Sequence, residues 1–127
     1  MKILQIALIG LTLVLSACTG TSGRPTVDEE LGAMGLQRVI DGTASIPRYR
    51  INGWRPIDDE NIVVTAGVND RYLVVLQSPC FDIENAFSIA FRTPMSRVDR
   101  FDRIIYRSNI SGVQTCRIRN IYPLERF

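Results

Sequence analysis

From Ile46 onward the chain is cut into short apolar runs, none longer than the five residues Tyr72–Leu76, with turn-forming residues between them. That spacing suits strands of about four to eight residues and leaves little room for helices of about ten or more. Tyr49-Arg50-Ile51 leads into Asn52-Gly53, a turn-prone pair. Trp54-Arg55-Pro56-Ile57, the polar cluster Asp58-Asp59-Glu60-Asn61 and the β-branched run Ile62-Val63-Val64-Thr65 together predict a hairpin. Gly67-Val68-Asn69-Asp70 is the next turn, and Tyr72–Leu76 has the composition of a central strand buried on both faces. Phe81 to Phe87 suits a helical turn or loop, and Ser88-Ile89-Ala90-Phe91 a strand stopped at Thr93-Pro94. One strand is expected in the second half of residues 97–107. Thr115–Arg119 alternates, with Arg117 and Arg119 toward solvent, and Ile121 breaks the phase, so a bulge or strand end is expected near Asn120. The only helical stretch is 28–41, opened by Asp28-Glu29-Glu30 and weakened by Gly32 and Gly35. The expected fold is mainly β: a small antiparallel barrel or sandwich with one short helical segment.

The first 17 residues have the layout of an export signal. Lys2 is followed by an apolar core, Ile3 to Leu15, interrupted only by Gln5, Gly10 and Thr12. Thirteen residues of helix span roughly 20 Å, short of a bilayer's roughly 30 Å hydrocarbon core, which favours a signal over a membrane-spanning helix. Leu15-Ser16-Ala17-Cys18 resembles the lipobox of bacterial lipoproteins, in which small residues precede a cysteine that takes a diacylglyceryl group. The alternative is an ordinary signal with a chance cysteine; the four-residue match at the right distance favours the lipobox. The expected organisation is a signal peptide at 1–17, a lipidated Cys18 with a flexible tether at 18–30, and a single β-rich domain at 31–127. The tether is predicted from Thr19-Gly20-Thr21-Ser22-Gly23-Arg24-Pro25-Thr26, which is too polar and too small to bury a core.

With Cys18 assigned to lipidation, Cys80 and Cys116 remain as an even pair in a chain expected to meet an oxidising compartment, where a disulfide is the default. A redox-active pair would show a closer spacing, and a zinc site would need about four Cys or His ligands in a chain that has no histidine.

The order Trp54, Ile57-Asp58, Ile62-Val63-Val64, Tyr72-Leu73-Val74-Val75-Leu76, Pro79-Cys80, Ile89, Arg97-Val98, Asp102, Ile105 and Cys116-Arg117-Ile118 resembles a family of small, functionally uncharacterised lipoproteins of Gram-negative bacteria, catalogued as a domain of unknown function. The resemblance covers roughly residues 50–122. It implies an envelope lipoprotein with a paired cysteine, and no activity. By resemblance to enteric-type lipoprotein sorting, Thr19 rather than Asp after the lipidated cysteine points to the periplasmic face of the outer membrane.

Chemistry is thinly represented. Without histidine the commonest general base and metal ligand are missing, and the only lysine is Lys2. No nucleophile elbow, P-loop or dinucleotide fingerprint occurs. No catalytic residue, cofactor or metal is therefore expected. The carboxylates Asp58, Asp59 and Glu60, and Asp99 with Asp102, offer the one acid–base alternative, a glycan hydrolase, against the commoner reading of solvated turns. Trp54 reads as a core anchor before a ligand platform, and Tyr49, Tyr72, Tyr106 and Tyr122 as strand residues. Residues 80–127 hold eight arginines against five acids, which is either an ordinary solvated face or a contact for an anionic envelope polymer. Three functions follow in order of preference: a non-catalytic envelope module that binds a protein or anionic polymer, a small-ligand binder, and a carboxylate-dependent hydrolase. The expected partners are the membrane, through the lipid on Cys18, and an envelope component, but not nucleic acid.

Overall fold

The computed structural model describes residues 26–39 and 44–126; the signal, the lipidation position Cys18 and most of the tether lie outside them. The fold is mainly β, an antiparallel and nearly closed barrel-like sheet with one short helix. In chain order the elements are α1 (Val27–Ala33), β1 (Leu36–Arg38), β2 (Ile46–Pro47), β3 (Ile51–Pro56), β4 (Asn61–Ala66), β5 (Asp70–Leu76), β6 (Ser88–Arg92), β7 (Arg97–Val98), β8 (Arg103–Ser108) and β9 (Gly112–Arg126). The main sheet runs β3-β4-β5-β9-β8-β6, and β1 pairs with the far end of β9. A two-stranded piece, β2 with β7, stands apart from it.

The hairpins follow from local chemistry. Asp58 Oδ1 accepts from the Glu60 N–H at 2.8 Å and from the Asn61 side chain at 2.9 Å, which folds the polar cluster into the β3–β4 turn. Gly67, at φ +68°, opens the β4–β5 turn in a conformation that L side chains avoid. Asn52-Gly53 does not turn. It lies inside β3, where the register against β4 shifts between Ile51 and Gly53, and the Asn52 side chain donates to the Gly67 carbonyl at 2.9 Å. The β4 partner holds the chain extended there and converts a turn-prone pair into a bulge. On β9 the register against β5 shifts between Val75–Asn120 and Leu76–Ile118, so the bulge falls at the predicted place and the strand continues through it.

Alternation along the strands builds two cores. Ile62, Val64 and Ala66 on β4, Val74 and Leu76 on β5, Ile104 and Tyr106 on β8, and Ile118 and Ile121 on β9 fill the concave interior. Val63 and Leu73 face the other way and are covered by Leu31 of α1 and by Leu36. Both faces of β4 and β5 are thus buried, which explains their unbroken apolar runs. Full burial of Leu31 contributes roughly 2 kcal/mol and fixes the helix on the sheet.

The helix is shorter than 28–41 and starts earlier. Thr26 and Glu29 form a capping box: Thr26 Oγ1 accepts from the Glu29 N–H and Glu29 Oε2 from the Thr26 N–H. Gly35, at φ +73°, ends it, and residues 36–38 pair with β9 instead of continuing the helix. Asp28 holds the Arg38 guanidinium by two contacts of 3.0 Å, which tie α1 to β1. Residues 27–30, the end of the stretch read as tether, form the first turn of α1.

Candidate functional site

Cys80 and Cys116 are joined by a disulfide, with 6.3 Å between their Cα atoms. The bond links the segment after β5 to the middle of β9, and the Cys80 N–H donates to the Asp59 carbonyl at 2.8 Å. It ties the end of β5 to β9, with Cys80 buried and Cys116 half-buried against the core.

Two of the carboxylates considered for acid–base work, Asp58 and Asp102, accept backbone N–H groups. Asp58 caps its own turn, and Asp102 Oδ2 accepts from the Asp99 N–H at 2.8 Å. Asp59 borders a small cavity of about 180 Å³ with Asp82 and Glu84. Among the described residues, no group of three or more His, Cys, Asp or Glu is arranged to hold a metal ion.

A tighter polar cluster, absent from the sequence reading, sits at the β8–β9 turn. Asp82, in the left-handed region at φ 63°, accepts from the Ser108 hydroxyl and from the Asn85 side chain. Ser108 accepts from the Ser111 N–H at 3.0 Å and, with its own proton donated to Asp82, from the Ser111 hydroxyl at 2.7 Å. The Ser108 and Asn85 hydrogen bonds hold the Asp82 carboxyl below the usual carboxylate range. Tyr106 donates to the Phe81 carbonyl, and its phenol is pushed up by burial and then by the Asp82 charge. Ser108 is 4% exposed and its partner carboxylate is a weak base, so the arrangement is a clasp for the hairpin and not an activated nucleophile.

A cavity of about 670 Å³ lies on the outer, helix-covered face. The larger core occupies the barrel interior, and this cavity lies outside it. Residues Ala33 to Leu36, where α1 passes into β1, form one wall. Strand pairing sets the rest. Arg55 lies opposite Val63, Arg71 opposite both Thr65 and Leu124, and Arg126 opposite Leu36. Alternation therefore brings Arg55, Thr65, Arg71 and Arg126 to the same face as Val63 and Leu73, just beyond the end of α1. Trp54, on the edge strand β3, packs against the interior and also borders the cavity, so it serves both as anchor and as wall.

Three arginines line this cavity and no carboxylate does. Among the described residues none of the three has an ion-pair partner; the ion pairs are Arg38–Asp28 and Arg50–Asp70. Arg71 Nη1 is shielded from water and has no hydrogen-bond partner among the described residues. A guanidinium left this way is unfavourable unless an acceptor arrives. Sequence reasoning missed the site because Arg55, Arg71 and Arg126 are far apart in the chain, and it had located the basic excess in residues 80–127. The usable signal was period-two placement: Arg55 lies two residues from Gly53 and Ile57, and Arg71 two from Leu73, on the face that Val63 shares.

Of the tyrosines, Tyr72, Tyr106 and Tyr122 lie in strands as expected, whereas Tyr49 sits in a 3-10 turn, 83% exposed. No helix among the described residues is long and apolar enough to cross a membrane. No curated protein and no solved structure matches this chain. A family of unknown function, DUF6491, matches residues 1–126, nearly the whole length, and the chain belongs to it.

Proposed function

We propose that this protein is a lipid-anchored, non-catalytic module of the bacterial envelope that binds an anionic partner in the arginine-lined cavity. The observation that carries the reading is the set of Arg55, Arg71 and Arg126 around one cavity with no carboxylate among its walls. Like charges gathered without counter-charges are unfavourable in the empty protein and favourable once an anion is seated. The anchoring half of the reading rests on the lipobox-like Leu15-Ser16-Ala17-Cys18, and the outer membrane on Thr19. The tether then places the domain on the periplasmic side, close to envelope polymers and headgroups.

The test is photo-crosslinking in intact cells from position 65, in the cavity wall, and from position 113, on the β8–β9 hairpin. The expected result is one anionic component captured from position 65 and not from 113. Cys18→Ala moves the protein from the membrane to the soluble fraction and abolishes that capture. Equal capture from both positions, or turnover of a substrate by the purified protein, refutes the reading.

A further inference from the structure

We infer that the occupant of this cavity is a phosphate ester whose organic part is apolar or ring-bearing; the inference rests on the anion-binding reading above. The cationic side sets the head group. One guanidinium fork matches one carboxylate, whereas three converging forks match a dianion with several oxygens. Strands β3 and β5 are two strand spacings apart, about 10 Å, and β9 is the next strand beyond β5. Long arginine stems from the three strands can therefore meet over a group the size of a phosphate. Thr65 borders the same space.

The other wall sets the organic part. A bare inorganic anion fills only a small fraction of about 670 Å³, and cavities of roughly 300–1,000 Å³ are the usual size for small organic ligands. Met34, Leu36, Val63 and Trp54 form the apolar remainder of the lining. Met34 offers a deformable surface for a chain or a ring. An anion with no apolar portion would leave that surface wet.

The chain's single tryptophan is in the cavity wall, which makes the test direct. The full-length protein in a non-ionic detergent is titrated with dihexanoyl phosphatidic acid, phenyl phosphate, inorganic phosphate and octanoate. Trp54 emission and calorimetry are followed together. The expected result is saturable binding of at least one phosphate ester, about tenfold or more tighter than inorganic phosphate or octanoate. Arg55→Ala and Arg126→Ala, both at exposed positions, each weaken it by about tenfold or more. Arg117→Ala, on a different stretch of β9, leaves it unchanged. Preference for the phosphatidic acid identifies a lipid headgroup as the source, and preference for phenyl phosphate a soluble ester. Equal affinity for inorganic phosphate overturns recognition of the organic part. Binding of octanoate in preference to the esters overturns the phosphate class while leaving anion binding in place. No binding of any probe by either method overturns both.

Discussion

Replacing Arg71 by methionine should make the folded protein more stable. The guanidinium's Nη1 is buried without a partner among the described residues, and a polar group in that state costs about 1–3 kcal/mol. Methionine keeps an unbranched stem of similar length in the space between Thr65 and Leu124, so little packing is lost. Removing one of three neighbouring positive charges adds a few tenths of a kcal/mol more at low salt. The expected net gain is about 1–2 kcal/mol. With a urea m-value of roughly 2 kcal/mol/M for a domain this size, the midpoint rises by about 0.5–1 M. The assay is equilibrium urea unfolding followed by Trp54 emission and circular dichroism, with Arg103→Met on β8 as an exposed control expected within about 0.5 kcal/mol of the parent. A lower midpoint for Arg71→Met at unchanged m would mean that Arg71 is satisfied in solution and serves the fold. The electrostatic argument for the cavity would then lose its premise. A gain in stability together with a loss of ligand binding would show a residue retained for function against stability.

Reduction of the Cys80–Cys116 bond, or Cys80→Ala with Cys116→Ala, should remove roughly 4 kcal/mol by the chain-entropy estimate for a separation of 36 residues. Urea unfolding with and without dithiothreitol measures it, and a change below about 1 kcal/mol would show that the reduced chain is already constrained. Because the folded Asp82 carboxyl lies below its ordinary value, its contribution is present above that value and is lost as pH falls through the folded one. Urea midpoints taken from about pH 7 down to pH 2 should fall less steeply for Asp82→Asn than for the parent below about pH 5. Parallel curves would refute the clasp.

What could be read in the sequence was what neighbours along the chain decide. Asp58 folds its own turn, Gly67 supplies its own left-handed residue, and the apolar run at Tyr72–Leu76 declares a two-sided strand. The phase break before Ile121 located the β9 bulge because alternation is a property of the strand itself. What was hidden depends on partners distant in sequence. Leu36–Arg38 has no strand pattern of its own and is extended because Leu124 to Arg126 pair with it. Asn52-Gly53 would turn in isolation and is held straight by β4. The cavity is the same case: three arginines from three strands, brought to one face by register alone.

Strand β9 has a consequence for the order in which the molecule can be made. It is the last of the described strands, and it alone borders β5, β8 and β1. The β3-β4-β5 meander and the β6–β8 hairpin can each form early, but neither has its neighbour until residues 112–126 arrive. On the export route proposed above, a chain threaded N-terminus first cannot close its core until residues 112–126 have emerged. The disulfide, whose second cysteine is on the same strand, is sealed only after that.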